Sequence, residues 1–307
     1  MFLGLQLMAL AGALTAFSNY FLRRSIMAGG SSRAFLLIQL TITSFVGILL
    51  NPVRAGNFFF SSEIFFLGLV AGTILGVMMM CLGKALESGP AGLTIAFLNA
   101  STVFPILGMV ALFGKDYGFE YTYWNGIGSL IVVAALFWAG FETFKSGSKG
   151  RWLFFAFSAF VLHVLFLMLL QWRSVLINFP GRSAIFSSAT PEKLGSEWFM
   201  SVAFLAAALV QLVGYLKQEA RPPLPQEVRF GLFGGAVNGL GTFFMIRSTE
   251  VASSLEQAMI FPLFAVMVVL ICNLWGQFLC KETVHWRATA ASIAGIVLGT
   301  VDWSAFF

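Results

Sequence analysis

At 307 residues the chain could form one large soluble domain or two, yet 59% of its residues are hydrophobic and only 10% are charged. Soluble proteins carry about a quarter charged residues, so this composition excludes a soluble globular protein and places the chain in the membrane class. The net charge of +5 and the pI near 9.3 call for no nucleic acid, because basic residues flanking membrane helices account for them.

The charges cluster and leave ten charge-free windows, at 1–22, 34–53, 64–83, 88–114, 121–141, 152–172, 198–216, 230–246, 257–280 and 288–301. Most reach the ~17–25 residues that a helix needs to cross hydrocarbon. They predict an all-α membrane protein with ten transmembrane helices. The windows are apolar all round and lack the alternation of a barrel strand, which excludes a membrane β-barrel.

The first window has no positive flank before it, and Arg23 and Arg24 follow it in place of a small-residue cleavage site. It reads as a retained first helix and not as a signal peptide. A link from Arg23 to Arg33, broken at Gly29 and Gly30, leads to a second helix that Asn51-Pro52 is expected to end. The third helix carries Gly68, Gly72 and Gly76, four residues apart and so on one face, where two backbones can pack closely. Ser88-Gly89-Pro90 turns the chain into a fourth helix that holds Asn99, Ser101, Thr102 and Pro105 and stops at Gly114-Lys115-Asp116. Tyr121, Tyr123 and Trp124 open the fifth as an interfacial aromatic belt. The flexible basic segment Lys145 to Arg151 marks a boundary, giving two units at 1–147 and 148–307.

The sixth helix contains His163 and is expected to end at Trp172-Arg173. The longest link, Ser174 to Glu197, follows and is expected on the surface. Pro222, Pro223 and Pro225 separate the seventh helix from the eighth, and the eighth echoes the third. At an offset of 163 residues Gly68, Gly72 and Gly76 fall on Gly231, Gly235 and Gly239, while Lys84 and Glu87 fall on Arg247 and Glu250. The echo points to a duplicated chain and to a close helix contact made twice. The ninth helix is expected to run from about Ser253 to Cys280, and Pro105 and Pro262 do not align in this register. The three cysteines, Cys81, Cys272 and Cys280, lie in or at the end of apolar windows, which fits core packing better than a disulfide framework.

The stretch Ala85-Leu86-Glu87-Ser88-Gly89-Pro90-Ala91-Gly92, the step Thr102-Val103-Phe104 and the stop Phe113-Gly114-Lys115-Asp116 resemble the drug/metabolite transporter superfamily in its ten-helix, EamA-type form. In the second copy the resemblance rests on Cys280-Lys281-Glu282 and on Trp286 to Leu298 with Gly295 and Gly299. Relatives commonly have proline where Thr102 stands and Glu-Arg where Lys115-Asp116 stands. The resemblance implies two five-helix repeats of inverted topology, with a solute site near the midplane between them. It also implies a cavity lined by helices one, three, four, six, eight and nine, and cytoplasmic termini. The charge distribution points the other way on sidedness. Loops after odd-numbered helices hold 12 of the 18 Lys and Arg residues, which by the positive-inside rule places both termini outside.

Polar residues deep in lipid-facing sequence are costly unless they meet a cavity or a partner. On the helices that the resemblance implies line the cavity, the candidates for substrate binding are Asn19, Tyr20, Asn99, His163, Asn238 and Gln257, with Glu256 for charge recognition or coupling. Each has a plainer reading. Ser253-Ser254-Leu255-Glu256 fits a capping box, His163 can be a neutral imidazole bonded to a neighbouring helix, and the asparagines can join two helices. No enzyme motif is found, and His163 and His285 are too far apart in the pattern to form a metal site. No cofactor is expected. The resulting expectation is a secondary transporter of a small organic metabolite, amino-acid-like, nucleoside-like or cationic, coupled to protons or to exchange. It would reside as a monomer or homodimer in a lipid bilayer, that of the bacterial inner membrane. A membrane receptor or assembly factor on the same fold, and an intramembrane enzyme, are the rival classes.

Overall fold

A computed structural model describes residues 2–88, 94, 98–114, 121–141, 149–178, 191–194, 197–219, 221–280 and 286–300. All of the elements among these residues are helical, with no strand. Ten have nine residues or more: α1 (Leu3–Met27), α2 (Ser32–Ile48), α3 (Ser62–Ser88), α4 (Phe104–Leu112), α5 (Tyr123–Phe141), α6 (Lys149–Asn178), α7 (Phe199–Gln218), α8 (Pro225–Val251), α9 (Ile260–Cys280) and α10 (Trp286–Thr300). Six of the helices, α1, α2, α3, α6, α7 and α9, are long and apolar enough to cross a membrane. Leu98–Leu112 and Tyr123–Ala135 are apolar but shorter. Several apolar helices of this kind make a multi-pass membrane protein.

The glycine ladders decide which helices meet. A Cβ at Gly72 would strike the Ala203 carbonyl and the Ala206 side chain, and one at Gly68 or Gly76 would lie 2.9 Å or 2.7 Å from Val202 or Val210. A Cβ at Gly231, Gly235 or Gly239 would likewise lie 2.8, 2.7 or 2.6 Å from Ile38, Ile42 or Val46. The α3 ladder therefore seats α7, and the α8 ladder seats α2, each pair running in the same direction in steps of four residues. The two ladders do not face each other. A third glycine seam joins α5 to α10, where Gly128 meets Gly295 and Gly299 and Asn125 Nδ2 donates to the Gly299 carbonyl at 2.5 Å.

The other principal packing pairs are α1 with α8 and α9, α6 with α3 and α4, and α2 with α7. Ser248 donates to the Gly4 carbonyl (2.7 Å) and Ser18 to the Gly234 carbonyl (2.9 Å), so α1 and α8 are antiparallel. Lys84 near the end of α3 lies over the ring of Phe155 near the start of α6, which makes that pair antiparallel too. Gly12 meets Phe264 and Met267, and Trp275 Nε1 donates to the Ala16 carbonyl, so α9 runs with α1. His163 touches Ser101 and Gly108 touches Met168, so α4 runs with α6. Asn51 near the end of α2 meets Met200 near the start of α7, while Arg33 meets Glu219 at the opposite ends.

Prolines shape the helices differently from the sequence expectation. The chain does not leave the second helix at Asn51-Pro52. It widens into a π-turn over Leu49–Val53, which accommodates the missing proline N–H, and it breaks at Gly56, whose φ of +64° suits glycine. The fourth helix is not continuous, because Ser101–Val103 forms a 3-10 turn ahead of Pro105. There the Ser101 hydroxyl donates to the Leu98 carbonyl (2.5 Å) and the Thr102 hydroxyl to the Asn99 carbonyl (2.7 Å), supplying donors where the α-helical ladder lapses. The ninth helix is likewise interrupted between a short turn at Ser254–Gln257 and α9, just before Pro262. Proline cannot donate to the Ala258 carbonyl four residues back. The helix expected to stop at Trp172-Arg173 continues to Asn178. Leu194, within the link expected on the surface, is buried against the cluster of Leu176 and Trp172. His285, Lys281-Glu282, Lys115-Asp116, Gly89-Pro90, most of the 145–151 linker and Asp302 lie outside the described residues.

Candidate functional site

The two interrupted helices meet. Ala100, beside the 3-10 turn, packs in one buried cluster with Ala258 and Met259 at the break before α9. At that break Ser253 opens the short helix as its N-cap, and Glu256 closes a capping box by accepting the Ser253 N–H at 2.9 Å. The other Glu256 oxygen accepts the Leu5 N–H at 3.1 Å, and Glu256 is only 4% exposed. Its carboxylate thus caps two helix starts at once, satisfying amides that have no partner inside their own helices.

The neighbouring Gln257 donates to the Thr249 carbonyl (3.0 Å) and faces Gln171, whose Nε2 lies 3.5 Å from its Oε1. Gln171 is fully buried, and its own Oε1 has no hydrogen bond among the described residues. Buried carbonyl oxygens without a partner are uncommon, so this amide is a polar point in an apolar setting. Sequence reasoning passed over Gln171 because it sits at the edge of the sixth window beside Trp172.

His163 Nδ1 lies 2.6 Å from the Ser101 hydroxyl and 3.3 Å from the Leu98 carbonyl, across the α6–α4 contact. Asn99 is buried one residue after Leu98, so Asn99 and His163 flank the same 3-10 turn. Asn238 donates to the Thr43 hydroxyl at 3.1 Å, joining α8 to α2. Tyr20 packs edge-on against Trp275 with ring centroids 5.6 Å apart, and Asn19 hydrogen-bonds the Cys272 thiol, so both belong to the α1–α9 seam. The structure brings Asn99 and His163 together around one break and Glu256 and Gln257 around the other. It places Asn238 and the Asn19–Tyr20 pair on separate helix seams.

One dense charged group is one that the sequence marked only as an echo. Arg173, 5% exposed, donates to Glu250 Oε1 at 2.6 Å and to the Leu194 carbonyl at 3.2 Å, with its guanidinium 4.7 Å from the centre of the Phe199 ring. Arg247 donates to the other Glu250 oxygen at 2.8 Å and to Glu197 at 3.2 Å. The result is a neutral run of alternating charge, Glu197–Arg247–Glu250–Arg173, spanning α6, α8 and a residue two places before α7. Together with Asn51, Met200, Phe243 and Ile246 it lines a narrow crevice with room for about one water molecule. A second crevice lies at the other end of α2 and α7, lined by Arg33, Met80, Gly83, Lys84, Gln211 and Gln218 among others. At the 163-residue offset Met80, Gly83 and Lys84 correspond to Phe243, Ile246 and Arg247, so the two crevices occupy equivalent places.

No protein-family model matches the chain. No curated protein matches it either. Solved structures do, and one of them, described simply as the crystal structure of a protein, superposes with a TM-score of 0.62 over 94% of this chain and 96% of that one. At 17% identity the likeness shows a shared fold and nothing of activity.

Proposed function

We propose that this chain is a secondary transporter that moves a small organic metabolite by alternating access of two inverted five-helix halves. The observation that carries the reading is an exchange of partners. Replacing each of α1–α5 by the helix five places on turns α1–α8 into α6–α3, α2–α8 into α7–α3 and α1–α9 into α6–α4, while α2–α7 and α5–α10 map onto themselves. The directions follow the same exchange with reversal, since α3 and α7 run one way and α8 and α2 the other. Duplicated halves of opposite orientation are the architecture in which a solute site between the halves can be reached from either side in turn.

Interrupted helices support the same reading, because freed backbone and polar side chains at membrane depth are tolerated where they line a cavity or bury against protein. Asn99, His163 and Gln257 stand at those interruptions and are the residues we assign to the solute, with Gln171 added to them. Amino-acid-like, nucleoside-like and cationic solutes all suit such amide and imidazole groups. A proton or an exchanged solute supplies the driving force, and the bacterial inner membrane is the proposed location. The same helices could instead serve a receptor or an assembly factor. Counterflow in liposomes separates the two: the reading expects at least one member of a panel of amino acids, nucleosides and quaternary ammonium compounds to exchange. A monodisperse, folded preparation that moves none of them would overturn transport in favour of the receptor.

A further inference from the structure

We infer that the run Glu197–Arg247–Glu250–Arg173 is the latch of a gate that shuts one end of the molecule; this rests on the transporter reading. Four features single it out from an ordinary surface ion-pair cluster. Each member bonds the next by side-chain contact, so no charge in the run is left over. It ties elements of different parts of the chain, because Arg173 is on α6, Glu250 and Arg247 are on α8, and Glu197 precedes α7. The two guanidiniums lie over aromatic rings that also line the crevice, Arg173 over Phe199 and Arg247 over Phe243 at 5.8 Å. Finally, the crevice it closes leaves room for about one water, so a solute can pass only if these pairs part.

The equivalent crevice at the far end is built otherwise. Lys84 occupies the place of Arg247 and lies over the Phe155 ring, 5.1 Å away; the side chain of Glu87, which falls on Glu250, lies outside the described residues. No acidic side chain lines that crevice among the described residues. Arg33 of that crevice pairs with Glu219, which Arg221 joins to Glu227, so charges pair at both ends, but among the described residues carboxylates line only the first crevice; opening it means separating Arg247 and Arg173 from Glu250. A charged pair held in low dielectric parts only when its charges find other partners, which water and the solute's own polar groups can provide.

The test uses cysteine accessibility in the full chain, with Cys81, Cys272 and Cys280 replaced by serine. Met200, 2% exposed in the latched crevice, and Met80, in the opposite crevice, are changed to cysteine one at a time and labelled with a membrane-impermeant maleimide in liposomes. With the latch intact Cys at 200 labels slowly. Glu250→Gln is expected to raise its rate at least tenfold, and Glu250→Asp, which keeps a carboxylate between Arg173 and Arg247, to leave it within about threefold of the starting rate. If Glu250→Gln does not fold, Glu197→Gln, which removes the outermost partner, is expected to raise the rate in the same direction by a smaller factor. An unchanged rate at position 200 in a folded Glu250→Gln or Glu197→Gln protein would overturn the latch and leave the transporter reading untouched. A rate that rises at 200 without any fall at position 80 would uphold the latch and overturn alternating access.

Discussion

The two ends of the α2–α7 pair share a backbone plan but not a chemistry. At one end Phe243, Ile246 and Arg247 of α8 face the start of α7, and four charges cancel in a chain that lines the crevice itself; at the other Met80, Gly83 and Lys84 of α3 face the start of α2, and the cancelling run Arg33–Glu219–Arg221–Glu227 sends only Arg33 into the crevice. Glycine contacts every four residues are reproduced in both halves nearly atom for atom, down to a backbone carbonyl (of Ala203 or Gln39) against the central glycine. The difference teaches that helix packing and the placing of charges at the helix ends are separable layers. Small residues set where the backbones lie, and the charges placed on that frame are free to diverge.

The comparison breaks most violently if the frame itself is removed. Gly72→Leu and Gly235→Leu each thrust a side chain into backbone atoms of a neighbouring helix, and overpacking of this kind costs about 3 kcal/mol or more. Both variants should lose the folded peak in fluorescence-detection size-exclusion chromatography. Gly83→Leu is the control, since no atom of the described residues lies within 4 Å of its Cβ position, and it should elute as the parent does.

A smaller effect sharpens the contrast between the ends. Glu250→Gln leaves the nearly buried Arg173 without its carboxylate, and stranding one partner of a buried pair costs about 2–4 kcal/mol. Lys84→Gln at the equivalent corner of the other crevice removes a cation–π contact with Phe155, worth about 0.5–1 kcal/mol. The melting temperature in detergent should fall several times further for the first than for the second, and equal shifts would erase the distinction drawn between the two ends.

The helix starts offer a third comparison. Glu227, fully buried, accepts the Ser31 N–H (2.5 Å), the Leu224 N–H (2.6 Å) and both arms of Arg221, clamping the α1–α2 link to the start of α8. Hydrogen bonding to Glu227 raises the Arg221 pKa even though partial desolvation lowers it, so this cation stays charged at every usable pH. Glu63, at the matching start of α3, is more exposed and pairs with Lys193 at 3.1 Å. Glu227→Gln should therefore destabilise by about 2–3 kcal/mol, whereas Glu63→Gln should cost less than about 1 kcal/mol. Thermal melts of the two variants side by side check this.

The mildest prediction concerns Glu256. Its two oxygens are occupied by the Ser253 and Leu5 amides, so Glu256→Gln keeps one acceptor and should lower stability by about 1 kcal/mol while leaving solute counterflow within about twofold of the parent. Loss of counterflow without loss of stability would move Glu256 from the cap to the solute.

Helix locations and the glycine echo were legible in the sequence because both are local patterns, a run without charge or a repeat of four. The capping box at Ser253–Glu256 was legible for the same reason. What was not legible needed a partner far along the chain. Arg173 looked like the end of a helix because a lone arginine belongs at an interface, yet its carboxylate lies 77 residues away and lets it sit inside. The interruptions ahead of Pro105 and Pro262 were hidden because proline by itself permits either a kink or a clean stop, and it is the Ser101 and Thr102 hydroxyls that settle the first of them. The ladders' partners, α7 and α2, carry no glycine repeat of their own and gave no sign in their composition.

The partner exchange among helices also dictates an order of events during biosynthesis. When α3 leaves the ribosome the helix that covers its glycines, α7, has yet to be made, and α5 waits for α10 before Gly128 finds Gly295. The N-terminal Gly4 meets Ser248 and Ala252 only after some 240 further residues are synthesised. Newly made first halves therefore sit in the bilayer with bare backbone faces turned to lipid, and a chain truncated near the central linker is expected to be recognised by membrane quality control and degraded, not to accumulate as a stable half.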